Sequence, residues 1–411
     1  MTMNKLVLAL SILLFALTSC NKEGCSDPKA INYRSTVTGE PEACFYSIAT
    51  GPAYLECSDS EDSRLPNKPD SPVDYIAECG IRVDHEMVIE KNVVIHLGGP
   101  IRIFGDGKLI LEEGVQLLFE EGEKIQVYGE IVANGTVGNP VVISSLENAP
   151  WDGISIEGHS SVNSFKFTNI SYGEIKLQQG HTTFSNCVIS NSPSYAIHDQ
   201  TNSNMPGGAY SISYTVFRDN EKIMRTQTPY ISGLTPSNTY INNNEQYIWV
   251  SPENSYRTVH FYKQEVPFHI KRVGGSEYDI SCINNTDSVI IAPGTTIKFD
   301  TGLGIRPSST FVCIGTTDNW IQLTGIEQVL GSWGGLSLNG LYPNKMSYTD
   351  ISFVTDYDFE IGSGTNDFYL TNSIVREGIN CGLVVRTNNY LGTVISTGTF
   401  FFGFFADICY L

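Results

Sequence analysis

The sequence predicts an all-β protein built as a parallel β-helix, a solenoid duplicated along its own axis, with a small cysteine-bearing module ahead of it. Three observations predict this. A strand–turn–strand unit recurs at a spacing of 22 residues, a longer block recurs at a spacing of 180, and the composition suits pleated strands closed by tight turns. Only 17% of the 411 residues are charged, while 38 are Gly, 21 Tyr and 20 Phe. Aromatic side chains fit a half-buried pleated surface, and Gly supplies the backbone freedom of turns. Hydrophobic residues make up 41%, too many for a disordered chain. Lys and Arg total 25 against 44 Asp and Glu, a formal net charge of -19. That excludes a general nucleic-acid binder, whose affinity comes from basic side chains displacing counterions from phosphates.

The first element is an address. In residues 1–19 a single Lys5 precedes an apolar run from Leu6 to Leu17, too short to span a bilayer as a mature helix. That is the layout of a secretory signal peptide. Its end, Leu17-Thr18-Ser19-Cys20, resembles the lipobox of bacterial lipoproteins. The resemblance implies cleavage before Cys20 and a lipid on that residue, so the membrane is a partner through the anchor. Asn21, in place of Asp after the cysteine, implies the outer membrane, on its periplasmic face or at the cell surface.

Residues 20–46 form the lipidated N-terminus and a small module. Gly24-Cys25-Ser26-Asp27-Pro28, Ala30-Ile31-Asn32-Tyr33 and Cys44-Phe45-Tyr46 resemble a module recurrent in exported Bacteroidetes proteins, which implies a Cys25–Cys44 disulfide. The usual Asp-Asp-Gly before the second cysteine is replaced by Glu40-Pro41-Glu42-Ala43, so no metal is assigned to that turn. Export permits disulfides, and Cys57 and Cys79, which bracket an extended stretch, are a second candidate pair. Ten cysteines less the lipidated one leave an odd number, so at least one thiol stays free within the chain. Cys187 and Cys313 lie inside apolar strand patterns and read as buried thiols. Residues 47–72 are rich in Pro, Ser and acids with no apolar period, and read as a flexible tether.

The solenoid follows in two blocks, 73–257 and 258–411. Met87–Leu97 sets over Leu109–Phe119 without a gap, apolar positions, acids and turn residues all aligned, and Ile103 falls on Ile125 at the same spacing. A unit this short has no room for a crossover helix, so consecutive units coil, each strand stacking on its predecessor. Gly114, Phe119, Gly122, Ile125, Gly135 and Thr136 correspond at the longer spacing to Gly294, Phe299, Gly302, Ile305, Gly315 and Thr316. Trp151-Asp152-Gly153 then matches Trp333-Gly334-Gly335, and Thr168-Asn169-Ile170-Ser171 matches Thr349-Asp350-Ile351-Ser352.

This pattern, with the turn-strand Pro293-Gly294-Thr295-Thr296-Ile297-Lys298-Phe299, resembles the right-handed parallel β-helix proteins of the pectin-lyase-like superfamily from about Val73 onward. The resemblance implies the fold and leaves the activity open. Asn169, Asn186 and Asn372 sit between β-branched runs and read as an Asn ladder at left-handed turns. Trp151 and Trp333 read as packing residues of their coils.

Chemistry is harder to find. No zinc-protease, nucleophile-elbow or P-loop motif is present, and no cofactor or metal is assigned. Gly158-His159 and Gly180-His181 lie one coil apart and read as solvated turn histidines. Superfamily members that cleave acidic polysaccharides use Asp/Glu clusters and an Arg or Lys base. The nearest catalytic candidates here are Asp219, Glu221, Lys222 and Arg225, with Asp199, expected on a solvent-facing loop. The stretch Thr226–Tyr247 breaks the coil pattern and reads as a connector or a polar-aromatic excursion. The expected role is a non-catalytic cell-envelope protein that binds or adheres to a polysaccharide or surface protein. A polysaccharide lyase or hydrolase working in a β-helix groove is the alternative, and a structural spacer the third reading.

Overall fold

The structure, a computed structural model, describes residues 51–55 and 63–411 apart from 160, 202–208, 273–278, 283, 285, 355–358, 379–380, 387–391 and 405. Residues 1–19, expected as a signal peptide, and Cys20, the expected Cys25 and Cys44 module, and Cys57 lie outside the described residues. Among those described, one 3-10 turn, Thr228–Gly233, is the only helical element, and no helix is long and apolar enough to cross a membrane.

The chain winds into a parallel β-solenoid. One coil shows how. Lys108–Leu111, Gln116–Phe119 and Lys124–Val127 each form a short strand on a different face. Glu130–Asn134 then returns over Lys108–Leu111, with Ile131 on Leu109 and Ala133 on Leu111. Period-2 alternation decides which side chains go in: Leu109, Leu111, Leu117, Phe119, Ile125 and Val127 are fully buried and their neighbours are not. Each such side chain contributes about 1.5–3 kcal/mol by leaving water. The turns use left-handed residues. At Gly114 (φ 76°) a Cβ would lie 2.2 Å from the Asn92 side-chain oxygen of the coil beneath.

A fourteen-stranded sheet, the long sheet, runs from Ile81–Val83 to Phe400–Phe402. Its parallel pairing continues from Glu245–Ser251 to Phe268–Ile270, so the two sequence blocks form one continuous solenoid. The stretch expected as tether is ordered at its C-terminal end. Arg64–Leu65 pairs with Val88–Ile89, Leu65 is buried, and Tyr75 Oη donates to the Pro66 carbonyl at 2.9 Å. A two-residue strand is too brief to show a period in sequence.

The duplication survives at the level of single contacts. Trp151 stacks on Phe119 with ring centroids 4.5 Å apart, and Trp333 on Phe299 at 4.6 Å. Their indole N–H groups donate to the Ser171 and Ser352 carbonyls at 2.7 and 2.8 Å. Asn163 and Asn344 each accept a hydrogen bond from the preceding coil, from the backbone N–H groups of Ile131 and Phe311, at 3.1 Å in both cases.

The two copies nevertheless sit differently on the solenoid. In the first, a coil passes from a seven-stranded sheet to a nine-stranded sheet and then to the long sheet; Gln116–Phe119 belongs to the nine-stranded one. In the second, the equivalent strand Thr296–Phe299 belongs to the long sheet itself. The nine-stranded sheet ends at Thr239–Ile241, and a new face opens with Asn254–Ser255 paired to Ser281–Cys282. The long sheet is thus the third face of each coil in the first copy and the second face in the other.

Asn186 and Asn372 hold left-handed turns (φ 55° and 50°), whereas Asn169 lies within the strand Thr168–Ser171 and Phe167 takes the left-handed position (φ 45°). A buried Asn ladder does form, at Asn220 and Asn243: Asn220 Nδ2 donates to Asn243 Oδ1 at 2.9 Å. Cys187 and Cys313 are buried free thiols, as expected, and Cys282 is a third among the described residues. Burial pushes the Cys187 thiol up to about 11 and the Cys313 thiol up to about 12. Cys79 is disulfide-bonded. Cys381 and Cys409 form a disulfide that the sequence reading did not foresee, tying two adjacent strands of a four-stranded sheet.

A cationic and aromatic column as candidate functional site

Parallel in-register stacking brings residues some twenty to thirty positions apart in the chain to about 4.8 Å of one another. On the outer face of the long sheet it lines up Lys176, His198, Arg225, Trp249, His269 and Lys298. The column extends backward through Ser155, Gln126 and Arg102 to Arg82, and forward to Thr324. No position in it is a carboxylate, although the chain as a whole carries a net charge of -19.

Stacked like charges repel, and acids beside the column relieve part of that repulsion. Glu174 Oε1 lies 3.0 Å from His198 Nδ1, and its other oxygen lies 3.7 Å from Lys176 Nζ. Asp300 Oδ1 lies 2.7 Å from His269 Nε2, and Glu245 Oε1 lies 3.8 Å from Lys222 Nζ. Arg225, Lys271 and Lys298 have no carboxylate at ion-pair distance among the described residues.

Aromatic rings fill the space between these cations. Lys271 Nζ sits 3.6 Å from the centroid of the half-buried Trp249 ring, and Lys222 Nζ lies 5.2 Å from both Trp249 and Tyr195. Lys298 Nζ lies 5.6 Å from the Tyr247 ring. Tyr195 meets Trp249 edge-on at 5.6 Å, and the His269 ring lies edge-on to both Tyr247 and Trp249. Burial is the main reason the Tyr195 phenol is pushed up from its ordinary value. The Trp249 indole N–H is enclosed and has no hydrogen-bond partner.

The predicted site residues separate. Lys222 and Arg225 lie on a strand, Lys222–Gln227, that is a full member of the long sheet rather than a loop. Asp219 occupies an exposed left-handed turn (φ 55°), and the exposed Glu221 accepts hydrogen bonds from Asn244 Nδ2 at 3.0 Å. Asp199, expected at the surface, is inside the solenoid. It accepts from the Thr201 N–H and Thr226 Oγ1 at 3.0 Å each, and burial raises its pKa. The strand of Asp199 is so short that its inward and outward positions could not be told apart in sequence. His159 and His181 are not stacked, because Val162 occupies the register position beside His181. Among the described residues no three His, Cys, Asp or Glu side chains converge as a metal-holding set.

Sequence reasoning missed Tyr195, His198, Tyr247, Trp249, His269, Lys271 and Lys298. The steps along the column are uneven, 27 from His198 to Arg225, 24 to Trp249, 20 to His269 and 29 to Lys298, so no fixed period reveals it.

Chemically, the face offers stacking rings and, among the described residues, three cations without a carboxylate at ion-pair distance. Its two His–carboxylate pairs are three strand steps, about 14 Å, apart. Paired carboxylates that act on one glycosidic bond stand about 5–9.5 Å apart. No family model, curated protein or solved structure matches this chain.

Proposed function

We propose that the protein is an exported, lipid-anchored cell-envelope protein of the pectin-lyase-like β-helix type, and that the outer face of its long sheet binds a glycan without cleaving it. The observation that carries this reading is the carboxylate-free column centred on Trp249. A sugar ring presents an apolar face suited to an aromatic surface and a polar edge suited to neighbouring donors. The column sets both along a rigid support, and the support needs no rearrangement to hold an extended chain. The non-catalytic part of the reading rests on the acids: Glu174, Glu245 and Asp300 are each engaged by a neighbouring cation or histidine. The export part rests on the lipobox resemblance at Cys20.

Two experiments test this. Purified protein is expected to bind members of a polysaccharide panel, with Trp249→Ala weakening binding at least tenfold. Release of unsaturated or reducing ends would overturn the non-catalytic reading, and binding to no glycan would leave a spacer. For the anchor, Cys20→Ala is expected to abolish radiolabelled palmitate incorporation. Labelling that persists in Cys20→Ala would refute lipidation at that residue.

A further inference from the structure

We infer that the last coil of the solenoid is a self-docking surface, on which a second copy of this chain sits tail to tail about a two-fold axis. The hydrophobic core is open there. One coil below, the inward side chains Phe368, Leu370, Val375, Leu383 and Val385 are at most 2% exposed. The positions stacked on them in the last coil are Val394, Ser396, Phe401, Ile408 and Tyr410. Ser396 and Tyr410 are exposed, Tyr410 at 62%, and the other three are only half-buried. On the outer side of the same coil Phe400 and Phe402 stack with ring centroids 6.3 Å apart, 61% and 55% exposed. Val394–Thr397, Phe400–Phe402 and Ala406–Tyr410 are also the last strands of their three sheets, so one edge of each pairs with no strand among the described residues. A bare edge beside an open core is a template for another chain. The Cys381–Cys409 disulfide ties the last of these strands to the coil beneath and holds the template in place.

Three observations point to a second copy as the occupant. The first is the opposite end of the solenoid, where Leu65, Ala77, Ile81 and Val83 of the first coil are at most 4% exposed. That end offers no open core, so head-to-tail stacking lacks a matching face. The open end matches its own twin instead, and a two-fold axis closes the assembly at two copies. The second is charge. In a chain of net charge -19, Asp407 is the only Asp, Glu, Lys or Arg between residues 394 and 411. Two acidic bodies repel over most of their surfaces and least at such an end. The third is area. The rings of Phe400, Phe402 and Tyr410 together leave about 300–400 Å² in water, the size at which an exposed apolar patch marks an interaction site. The coil that carries them spans 394–411, comparable with the roughly 20 residues a side of a standard interface. A terminal repeat needs a polar outer face to stand alone, and this one is apolar.

The test is analytical sedimentation of the full chain in density-matched detergent, from about 1 to about 100 μM protein. A monomer–dimer equilibrium is expected, with no larger species. Amide exchange in residues 394–411 is expected to slow as concentration rises, while exchange in residues 81–127 stays constant. Phe402→Glu combined with Tyr410→Glu sets like charges against one another across the axis, and is expected to raise the dissociation constant about 100-fold. Unchanged exchange of residues 81–127 in that variant shows the solenoid still wound. Tyr54→Glu, at a residue 66% exposed near the other end, is expected to leave the dimer intact. A monomer at every concentration would overturn the inference, and so would a dimer that survives the double substitution or concentration-independent exchange in 394–411. Filaments would overturn the two-fold closure and the inference with it.

Discussion

Asn220→Ala is expected to open the solenoid locally at the ladder. Asn220 is almost wholly buried, and three hydrogen bonds depend on its side chain. Its Oδ1 accepts from the Ser192 N–H at 3.0 Å, and its Nδ2 donates to the Ile189 carbonyl at 3.0 Å and to Asn243 Oδ1 at 2.9 Å. Alanine removes all three and strands the buried Ser192 amide, which costs about 1–3 kcal/mol by itself, with about 0.5 kcal/mol for each of the two bonds lost beyond it. The sum is about 2–4 kcal/mol. A solenoid transmits such a loss mainly to adjoining coils, so the sensitive measurement is amide exchange of peptides spanning 189–195 and 217–221. Protection at Ser192 is expected to fall about 30- to 1,000-fold. Asn244→Ala is the control. That residue is exposed and bonds only the Glu221 carboxylate through its side chain, so its loss is expected to stay within about 0.5 kcal/mol. Ser192 protection within threefold of the parent in Asn220→Ala would refute the ladder as a support.

Other outcomes follow from the same geometry. Trp151→Phe and Trp333→Phe each keep a stacked ring and lose one indole bond of nearly equal length, so each is expected to cost about 1–2 kcal/mol, and a large difference in urea unfolding would show that the copies are not equivalent. The Cys381–Cys409 disulfide closes a separation of 28 residues, for which loop entropy gives about 3–4 kcal/mol. Reduction is expected to raise amide exchange in residues 381–411 first, and no change on reduction would remove the disulfide from the account. Burial raises the Asp199 pKa above its ordinary value of 3.8, so the protonated form is favoured in the folded chain. Its contribution to stability is therefore fully present below pH 3.8 and lost as pH rises through the raised value. The stability of the parent relative to Asp199→Asn is expected to fall on raising the pH through that window; a rise would mean the pocket prefers the carboxylate.

What the sequence revealed was what repeats. The 22-residue unit and the 180-residue block depend on turn glycines, inward β-branched residues and two tryptophans, and each of these has a fixed place in a coil. Such places leave a trace in sequence because a side chain at 0% exposure has few substitutes. The cationic and aromatic face left none. Trp249 and His269 meet only because Glu245–Ser251 and Phe268–Ile270 are neighbours in the long sheet, with a turn of irregular length between them. Lys222 and Arg225 were singled out as local charge, and their strand placement came from pairing with Tyr195–Asp199. Asp199 was misread because in a five-residue strand a one-position shift exchanges inside for outside. The stretch Thr226–Tyr247 seemed a connector because its 3-10 turn interrupts the alternation, yet it runs into the strand that carries Trp249.

The change of face between the two copies has a consequence for how this surface could arise. Had the copies been stacked in phase, any outward column would have been inherited twice, and each half of the molecule would display a version of the other. Instead the long sheet is lined by one set of positions before the junction and by a different set after it. Trp249 and His269 fall on the two strands that meet at the junction, Glu245–Ser251 and Phe268–Ile270. The centre of the column therefore joins two different sets of outward positions. Residues there can change one at a time, while those that wind the solenoid stay under constraint.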